Sequence, residues 1–428
     1  MSPVEVEKQS RPPATVALTD PVEPGDRSPK LSYPFGTITI PQRSKDLVMQ
    51  ALEMGRVSCG NYVQEFERRY AQLVGTKAAV AVSSGTDALA IALSVLYDQG
   101  AERGDEVILP ALSFVATGHA VLHAGFTPVF VDVDRHTLNI QADRIEDRVT
   151  ARTRAILPVH LMGKSAEMDT ICAIAQRHKL LVVGDAAEAH AAQYQGRDIG
   201  TWGDLVCYSL YVAHITSTIE GGIITTDNGE YADRLLSLRV HGRHIDSEGG
   251  VLKRADATQM LRIGDGKRDM RFSFERMGFS SRMNDLEAAV GLGNLEIYDE
   301  IVAKRRRNLR YLMDRFNAFS PYLYTITEEA HERLGPHAMP IIVAEEAPFT
   351  RDQFARYLSQ ARIDPRNLFS SIPTQCRGYE FLGHKRGDFP NAEFIGTHGL
   401  HVGVHQDLSQ EHLDYLLETT GRFLKDYT

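Results

Sequence analysis

The sequence has 428 residues, of which 43% are hydrophobic and 24% charged, and its formal net charge is −9. This length suffices for two domains with a large core, and the composition is ordinary for a globular enzyme. The acidic balance argues against nucleic acid or an anionic membrane as a partner, because both attract clustered Lys and Arg. No apolar run approaches the ~20 residues of a membrane span, and a signal-peptide pattern is missing, so we expect a cytoplasmic protein.

The cysteines and one basic run are interpreted as structural features. The cysteines are far apart and have no CxxC spacing, which favours free thiols over a metal site or a disulfide framework; they are Cys59, Cys172, Cys207 and Cys376. The run at 304–307 is Lys-Arg-Arg-Arg within a helical pattern. We expect a solvated helix face there.

The order of predicted elements indicates an α/β fold. Residues 1–30 are proline-rich and aperiodic and are predicted to be a disordered tail, followed by a large domain (31–300) and a small C-terminal α+β domain (301–428). Strands are predicted at 78–82, 106–109, 128–133, 154–159, 180–183, 205–210 and 223–226. Helices are predicted at 47–52, 63–73, 86–96, 115–123, 168–178, 286–295 and 303–316, and a long loop at 243–275. Apolar strands alternating with helices predict a mostly parallel sheet covered on both faces, with ligands outside the carboxyl ends of its strands.

Three motifs follow predicted strands at that edge. Ser84-Gly85-Thr86 joins a strand to a helix, so its small residues and free N–H groups suit an anion such as phosphate, although an ordinary N-cap has the same pattern. Asp185 ends an apolar strand, where a carboxylate needs a charged partner or caps the following turn. Phe114 follows Pro110 to Ser113 and, taken alone, fits a core position.

The segment from Cys207 to Gly222 carries the most specific pattern: a buried strand ending at Ser209, a turn of small and hydroxyl residues, and Glu220-Gly221-Gly222. This pattern resembles the cofactor-anchoring segment of the sugar aminotransferase (DegT/DnrJ/EryC1/StrS) family of fold-type I, pyridoxal 5′-phosphate (PLP) enzymes. The resemblance extends from about Tyr33 to the C-terminus. In that family a lysine five residues after the serine holds PLP as a Schiff base, whereas this chain has His214.

The resemblance implies roles for the motifs. Ser84, Gly85, Thr86 and Ser209 would bind the cofactor phosphate, and Asp185 would pair with the pyridinium nitrogen. Phe114 would stack on the ring, and Glu188 belongs to the same Asp-Ala-Ala-Glu-Ala-His motif. Family members use an Asn of the neighbouring subunit near the phosphate; here Ser280 occupies that position and is shorter. A homodimer with a shared active site is therefore expected.

Histidine in the lysine position resembles the deoxysugar 3-dehydratase branch, in particular the GDP-4-keto-6-deoxymannose 3-dehydratases. The resemblance implies that pyridoxamine 5′-phosphate (PMP) or PLP is held without a covalent bond. It further implies that His214 serves as acid and base in C3 dehydration of a nucleotide-linked 4-keto-6-deoxyhexose, with glutamate as amino donor. The Ser280 difference suggests another nucleotide sugar, such as a TDP-sugar of a secondary-metabolite pathway.

Three alternatives remain open. His214 could serve another proton transfer, such as epimerisation beside an imine, or an aminotransferase-like reaction on an amino sugar. The chain could also be a sugar-binding homologue that lost its lysine. Retention of Asp185 argues against mere binding, since binding does not require a carboxylate that stabilises a carbanion. Lys164 is the nearest loop lysine, but its spacing matches no family motif.

Overall fold

The structure is a computed structural model that describes residues 31–55, 57–244, 260–263, 266–269 and 272–427. The predicted tail at 1–30 lies outside the described residues. The described residues from Ser32 onward form one compact unit. No helix in the described part of the chain is long and apolar enough to cross a membrane.

The central sheet has seven strands in the order β1-β9-β8-β5-β4-β2-β3. Strand β9 is antiparallel to both neighbours, and the other pairs are parallel, which confirms a mostly parallel sheet. The first nine strands of the chain, of which β6 and β7 lie outside this sheet, are β1 (Ala78–Val82), β2 (Glu106–Pro110), β3 (Thr127–Val131), β4 (Thr153–Ile156), β5 (Leu181–Asp185), β6 (Gln193–Tyr194), β7 (Arg197–Asp198), β8 (Leu205–Ser209) and β9 (Gly222–Thr226).

Helices cover this sheet and supply the core on both faces, since strands β5, β8 and β9 are buried along their whole length. The first seven helices are α1 (Gln42–Glu53), α2 (Asn61–Val74), α3 (Gly85–Ser94), α4 (Val115–His123), α5 (Met168–His178), α6 (Gly229–Leu238) and α7 (Asp285–Glu296). Helix α1 begins five residues before the predicted start, because its first turn is polar and shows no apolar periodicity.

A second sheet lies in the C-terminal part, with four antiparallel strands in the order β12-β14-β16-β15. The remaining elements are β10 (Met260–Ile263), β11 (Gly266–Asp269), α8 (Tyr298–Phe316), β12 (Leu323–Tyr324), β13 (Glu332–Arg333), β14 (Ala338–Val343), α9 (Arg351–Gln360), β15 (Arg366–Asn367), α10 (Ile372–Gln375), α11 (Pro390–His398), β16 (Gly399–Gly403) and α12 (Gln410–Lys425). The two sheets agree with the predicted α/β and α+β parts, and the boundary at residue 300 stays a prediction.

Two expectations need correction. The loop predicted at 243–275 contains the antiparallel hairpin β10–β11, while 245–259, 264–265 and 270–271 lie outside the described residues. The basic run on α8 is a solvated face only in part, since Lys304 and Arg307 are exposed. Arg305 is buried and donates to the carbonyl oxygens of Pro336 and His337, because the helix packs this side against the loop before β14.

The sheet also explains where the motifs meet. Strand β9 runs antiparallel to β1 and to β8, so β1 points in the same direction as the parallel strands β8, β5 and β2. The carboxyl ends of these strands therefore share one edge of the sheet, where ligands of open α/β sheets bind.

Candidate active site

A cavity of about 520 Å³ lies at this edge. Its walls bring together eight of the nine predicted site residues, which come from four strand ends and the turn after β8. They are Ser84, Gly85, Thr86, Phe114, Asp185, Glu188, Ser209 and His214.

The turn between β1 and α3 forms one wall. Ser84 is the N-cap of α3, and its Oγ accepts a hydrogen bond from the backbone N–H of Asp87 at 3.1 Å. A Cβ added at Gly85 would lie 2.9 Å from the Cβ of Ser209, and one at Gly222 would overlap the carbonyl oxygen of Ser84. The backbone thus approaches strands β8 and β9 closely, and the first free N–H groups of α3 face a space suited to an anion.

Asp185 is a buried carboxylate at the end of β5. Its Oδ2 accepts from the Thr117 hydroxyl at 2.8 Å, and its Oδ1 accepts from the backbone N–H of Ala187 at 3.2 Å. Burial raises the pKa of Asp185 because desolvation outweighs these two hydrogen bonds. A cation at the cavity side of Asp185 would stabilise the ionised carboxylate.

Glu188 is a second acid in the cavity wall. Its Oε2 accepts from the backbone N–H of Met162 at 2.9 Å, and its Oε1 lies 3.4 Å from Nε2 of His337. Burial, together with the charge of Asp185, raises the pKa of Glu188 to about 8. Glu188 therefore carries a proton at neutral pH.

His190 fixes the end of strand β8. Its Nε2 donates to the carbonyl oxygen of Ser209 at 2.8 Å, so Nδ1 is the acceptor for the Tyr70 hydroxyl at 3.1 Å. Burial lowers the pKa of His190 to about 4. This neutral histidine holds the strand that carries Ser209 and is itself no cavity-facing base.

His214 lies in the turn after β8, and its backbone N–H donates to the carbonyl oxygen of Tyr211 at 3.0 Å. The next residue, Ile215, anchors the turn by packing against the first residues of α8. Nδ1 of His214 is buried and has no hydrogen-bond partner among the described residues. Burial, and then unfavourable electrostatic interaction of a protonated ring with His190 and Arg305, lower the pKa of His214 to about 3, so the ring is neutral at physiological pH.

The turn itself is built from hydroxyl groups. The Ser217 hydroxyl donates to the carbonyl oxygen of Leu210 at 3.0 Å and accepts from the backbone N–H of Ile219 at 2.9 Å. Asn294 of helix α7 donates to the carbonyl oxygen of Ser217 at 3.1 Å. These bonds define the path of the backbone around His214.

Phe114 is 56% exposed and lines the cavity, with its ring centre 5.5 Å from that of Phe369. The core position that the residue type alone favours is therefore wrong. An exposed aromatic face in a cavity wall is suited to stacking on a planar ligand.

Ser280 is the predicted site residue that the structure does not bring to the cavity. It is exposed and pairs with Val240, in a segment whose neighbour Ser281 accepts from the backbone N–H of Ser83 at 3.0 Å. The sequence predicts that Ser280 contacts the cofactor of a neighbouring subunit. A single chain does not test that contact, which stays a prediction.

Lys164 does not reach the cavity. Its buried ammonium pairs with Glu332 and donates to the carbonyl oxygen of Thr327 at 2.9 Å. Among the described residues no lysine lines the cavity. The described cysteines are free thiols, and no cluster of described His, Cys, Asp or Glu side chains could hold a metal ion.

Sequence reasoning missed several cavity residues. Thr117 contacts Asp185, and its hydroxyl lies 2.7 Å from that of Ser113; its position in the first turn of α4, after the Phe114 motif, was the available signal. Other missed residues come from the N-terminal segment and from the C-terminal sheet and its loops, for which the sequence offered no local signal; they include Phe35, His337, Phe369 and His401.

Comparison with known proteins finds a family model and relatives that match most of the chain. The model of the DegT/DnrJ/EryC1/StrS aminotransferase family matches residues 39–420. The chain is 35% identical to the spore coat polysaccharide biosynthesis protein SpsC of Bacillus subtilis, covering 92% of this chain and 97% of that protein. It is 32% identical to the dTDP-4-dehydro-2,6-dideoxy-D-glucose 3-dehydratase of Saccharopolyspora spinosa, covering 91% of this chain and 86% of that protein.

Among solved structures, the fold is similar to that of E. coli GDP-4-keto-6-deoxy-D-mannose-3-dehydratase with bound hydrated PLP. The TM-score is 0.80 at 28% identity, over 91% of this chain and 99% of the other. The chain therefore belongs to the DegT/DnrJ/EryC1/StrS aminotransferase family.

Proposed function

We propose that this protein is a PMP/PLP-dependent 3-dehydratase that removes the C3 hydroxyl of a nucleotide-linked 4-keto-6-deoxyhexose, with His214 as acid and base. The proposal depends on one observation, the type of side chain that the turn after β8 brings to the cavity. A neutral imidazole lines the cavity where the family has its lysine, and no described lysine lines that cavity.

The residues present fit a phosphorylated pyridine cofactor. The Ser84-Gly85-Thr86 turn and Ser209 would hold the phosphate, since glycine at 85 allows the close approach of two backbones. Asp185 would pair with the ring nitrogen, and Phe114 presents an exposed ring face. When bound, the cofactor would supply an electron sink for a carbanion formed next to its amine.

His214 would move the protons. Its depressed pKa leaves the imidazole neutral at pH 7, and a neutral ring nitrogen can accept a proton from carbon and return it to a departing hydroxyl on the same face. An imidazole cannot form the covalent link that a lysine forms, so the cofactor would be held without a covalent bond, by Asp185, Phe114, Ser209 and the turn at Ser84.

The substrate class is supported by the S. spinosa and E. coli relatives, whose names specify 3-dehydratases of dTDP- and GDP-linked keto sugars. Glutamate is proposed as the amino donor that restores PMP. A homodimer is also proposed, because Ser280 is exposed in the single chain and would need a neighbouring copy to approach a cofactor.

Aminotransfer to the same keto sugars is the second candidate, and the family description supports it. The two reactions give different products. Dehydration releases a sugar lighter by one oxygen atom together with ammonia, whereas aminotransfer leaves the amino nitrogen on the sugar.

The test is incubation of the PMP-loaded protein with dTDP- and GDP-4-keto-6-deoxyhexoses, followed by mass spectrometry of the sugar and an ammonia assay. We expect a deoxygenated sugar with equal amounts of ammonia, and at least ~10²-fold less with His214→Asn. An amino sugar that has nitrogen at C4 and keeps its C3 hydroxyl would replace the dehydratase proposal by aminotransfer.

A further inference from the structure

Two buried hydroxyl groups form a chain that ends on the Asp185 carboxylate. Oγ1 of Thr117 donates to Oδ2 of Asp185 at 2.8 Å, and Oγ of Ser113 lies 2.7 Å from Oγ1 of Thr117. Both hydroxyl-bearing residues are buried and line the cavity. Because Thr117 has one hydroxyl proton and gives it to the carboxylate, its contact with Ser113 is a bond that Ser113 donates. The chain therefore runs from Ser113 through Thr117 to Asp185.

The Thr117 hydroxyl differs from two other buried hydroxyls on helices of this chain. Ser94 and Thr420 each donate to the carbonyl oxygen of the residue four positions earlier, at 2.8 and 2.9 Å. A bond of that kind satisfies a buried hydroxyl within its own helix and needs no tertiary partner. Thr117, in the first turn of α4, donates instead to the end of strand β5. Its hydroxyl is therefore committed to the carboxylate of Asp185.

The first turn of α4 is held in place by the C-terminal part of the chain. The Tyr379 hydroxyl donates to the carbonyl oxygen of Val115 at 3.1 Å. Gly118 permits this approach, since an added Cβ would lie 2.6 Å from the Tyr379 oxygen. Phe114 is the N-cap residue of the same helix. One fixed turn thus carries both the exposed aromatic ring of the cavity wall and the hydroxyl that reaches Asp185.

The other groups around Asp185 are neutral. Besides Thr117, the groups that face this carboxylate are the backbone N–H of Ala187 and the side chains of Glu188 and Cys207. Burial raises the pKa of Glu188 to about 8 and the pKa of the Cys207 thiol well above its usual range, so both are protonated at pH 7. Burial also raises the pKa of Asp185, and the hydrogen bonds from Thr117 and Ala187 oppose that rise. Thr117 thus supplies the side-chain hydrogen bond that favours the ionised form.

We propose that Thr117 is a positioning residue that, aligned by Ser113, holds the Asp185 side chain as an ionised carboxylate in one orientation. Hydrogen bonds to the charged form of an acid favour that form, and a donor fixed at Oδ2 limits rotation of the carboxylate. The inference rests on the proposed function for one point, the pairing of Asp185 with the ring nitrogen of the cofactor. Thr117 would act on that nitrogen through Asp185, by keeping the carboxylate a weak base that leaves the ring its proton.

Four variants test this role. Thr117→Val keeps the side-chain shape and removes the hydroxyl, Thr117→Ser retains the hydroxyl, and Ser113→Ala removes the first donor of the chain. Thr225→Val is the matched control. Thr225 lies on β9 outside the cavity wall, and its buried hydroxyl donates to the carbonyl oxygens of Gly200 and Val206 at 3.2 and 3.3 Å.

The first measurement is the titration of the Asp185 carboxyl group in the unliganded protein by infrared difference spectroscopy, assigned with Asp185→Asn. We expect Thr117→Val to raise the midpoint by about one pH unit, a tenfold change in the protonation equilibrium, because the ionised form loses a donor. Ser113→Ala should raise it by a smaller amount, since it weakens the Thr117 bond only indirectly. Thr117→Ser and Thr225→Val should titrate like the wild type. An unshifted midpoint in Thr117→Val would overturn the proposal.

The second measurement is the NMR resonance of the ring nitrogen of ¹⁵N-labelled PLP bound to the protein at pH 7. Without the Thr117 hydroxyl, Asp185 becomes a stronger base and takes the proton from the ring nitrogen. We therefore expect the resonance in Thr117→Val to move towards that of an unprotonated pyridine, and Thr117→Ser and Thr225→Val to keep the wild-type resonance. An unchanged resonance in Thr117→Val would contradict an action through Asp185.

Steady-state kinetics separate this role from the proposed function. In a wild type that deoxygenates its sugar, we expect kcat of Thr117→Val to fall about tenfold with KM unchanged, because Thr117 acts through Asp185 and not on the sugar. A raised KM with full kcat would place Thr117 in sugar binding and overturn the proposal. Absence of deoxygenation in the wild type would reject the dehydratase, while the titration and the nitrogen resonance would still decide the role of Thr117.

Discussion

At the scale of single residues, burial decides which side chains can take part in chemistry. Lys164 has the amine that the family's reaction uses, but its ammonium is paired with Glu332 and does not line the cavity. His214 lines the cavity and is neutral, because desolvation and nearby cations lower its pKa. The proposed absence of a covalent cofactor link thus depends on one position.

A lysine restored at that position should restore the link. We expect His214→Lys incubated with PLP to give a covalent adduct after borohydride reduction, because the amine would enter a cavity that already has the phosphate turn and Asp185. Peptide mass spectrometry would locate the adduct at residue 214.

His214→Asn is the matched control, since its side chain offers neither an amine nor a base. It should bind PLP without an adduct, as should the wild type. A borohydride-fixed lysine in the wild-type protein would contradict the non-covalent site.

At the scale of elements, the close contact between β9 and the start of α3 shapes the anion-binding turn. Gly222, the first residue of β9, faces the Ser84 carbonyl without space for a side chain. Strand β9 therefore controls the path of the backbone through Ser84-Gly85-Thr86, although the two segments are far apart in sequence.

Gly222→Ala should damage this turn. A methyl group would overlap the carbonyl oxygen of Ser84, so we expect a loss of about 1–3 kcal/mol in the free energy of unfolding and weaker phosphate binding. Urea denaturation and PLP titration followed by absorbance would measure the two effects.

Gly229→Ala, at the start of α6, is the control because an added Cβ there meets no atom within 4 Å. It should leave both measurements unchanged. Equal behaviour of the two variants would show that the β9 contact does not shape the site.

At the scale of the whole molecule, buried titratable groups limit the pH range of stability. Burial lowers the pKa of His160, His214 and His401 to about 3, below the ~6.5 of an unfolded chain. The unfolded state therefore binds protons first as the pH falls below ~6.5, and stability declines towards pH 3. The raised pKa of Glu188 has the opposite effect, since its contribution is lost as the pH rises from ~4.5 through about 8.

Replacing one buried histidine should flatten the acid side of this profile. For His401→Phe we expect the free energy of unfolding to fall less steeply below pH ~6.5, by up to about 1.4 kcal/mol per pH unit. Urea unfolding of the unliganded wild type and variant at a series of pH values from 7.5 to ~4.5 would compare the slopes. Parallel profiles would show that His401 protonates equally in both states.

The sequence by itself predicted the seven strands of the mostly parallel sheet, most of the helices around it and eight residues of the cavity, because these signals are local. Periodicity, strand ends and the spacing from Ser209 through His214 to Glu220 all lie within short segments. The expectation for the basic run failed at Arg305 for the same reason: charge alone predicts solvent, whereas this side chain is held by the carbonyl oxygens of a loop about 30 residues away.

Only the tertiary structure decided how the C-terminal half completes the site. His401 enters the cavity from strand β16 of the second sheet and His337 from the loop before β14, and Thr117 reaches Asp185 from helix α4. The sequence around a side chain does not show which distant residues will bury it or change its pKa. The protonation of His214 and Glu188 therefore follows from packing between segments far apart in the chain, which the local pattern of the sequence does not express.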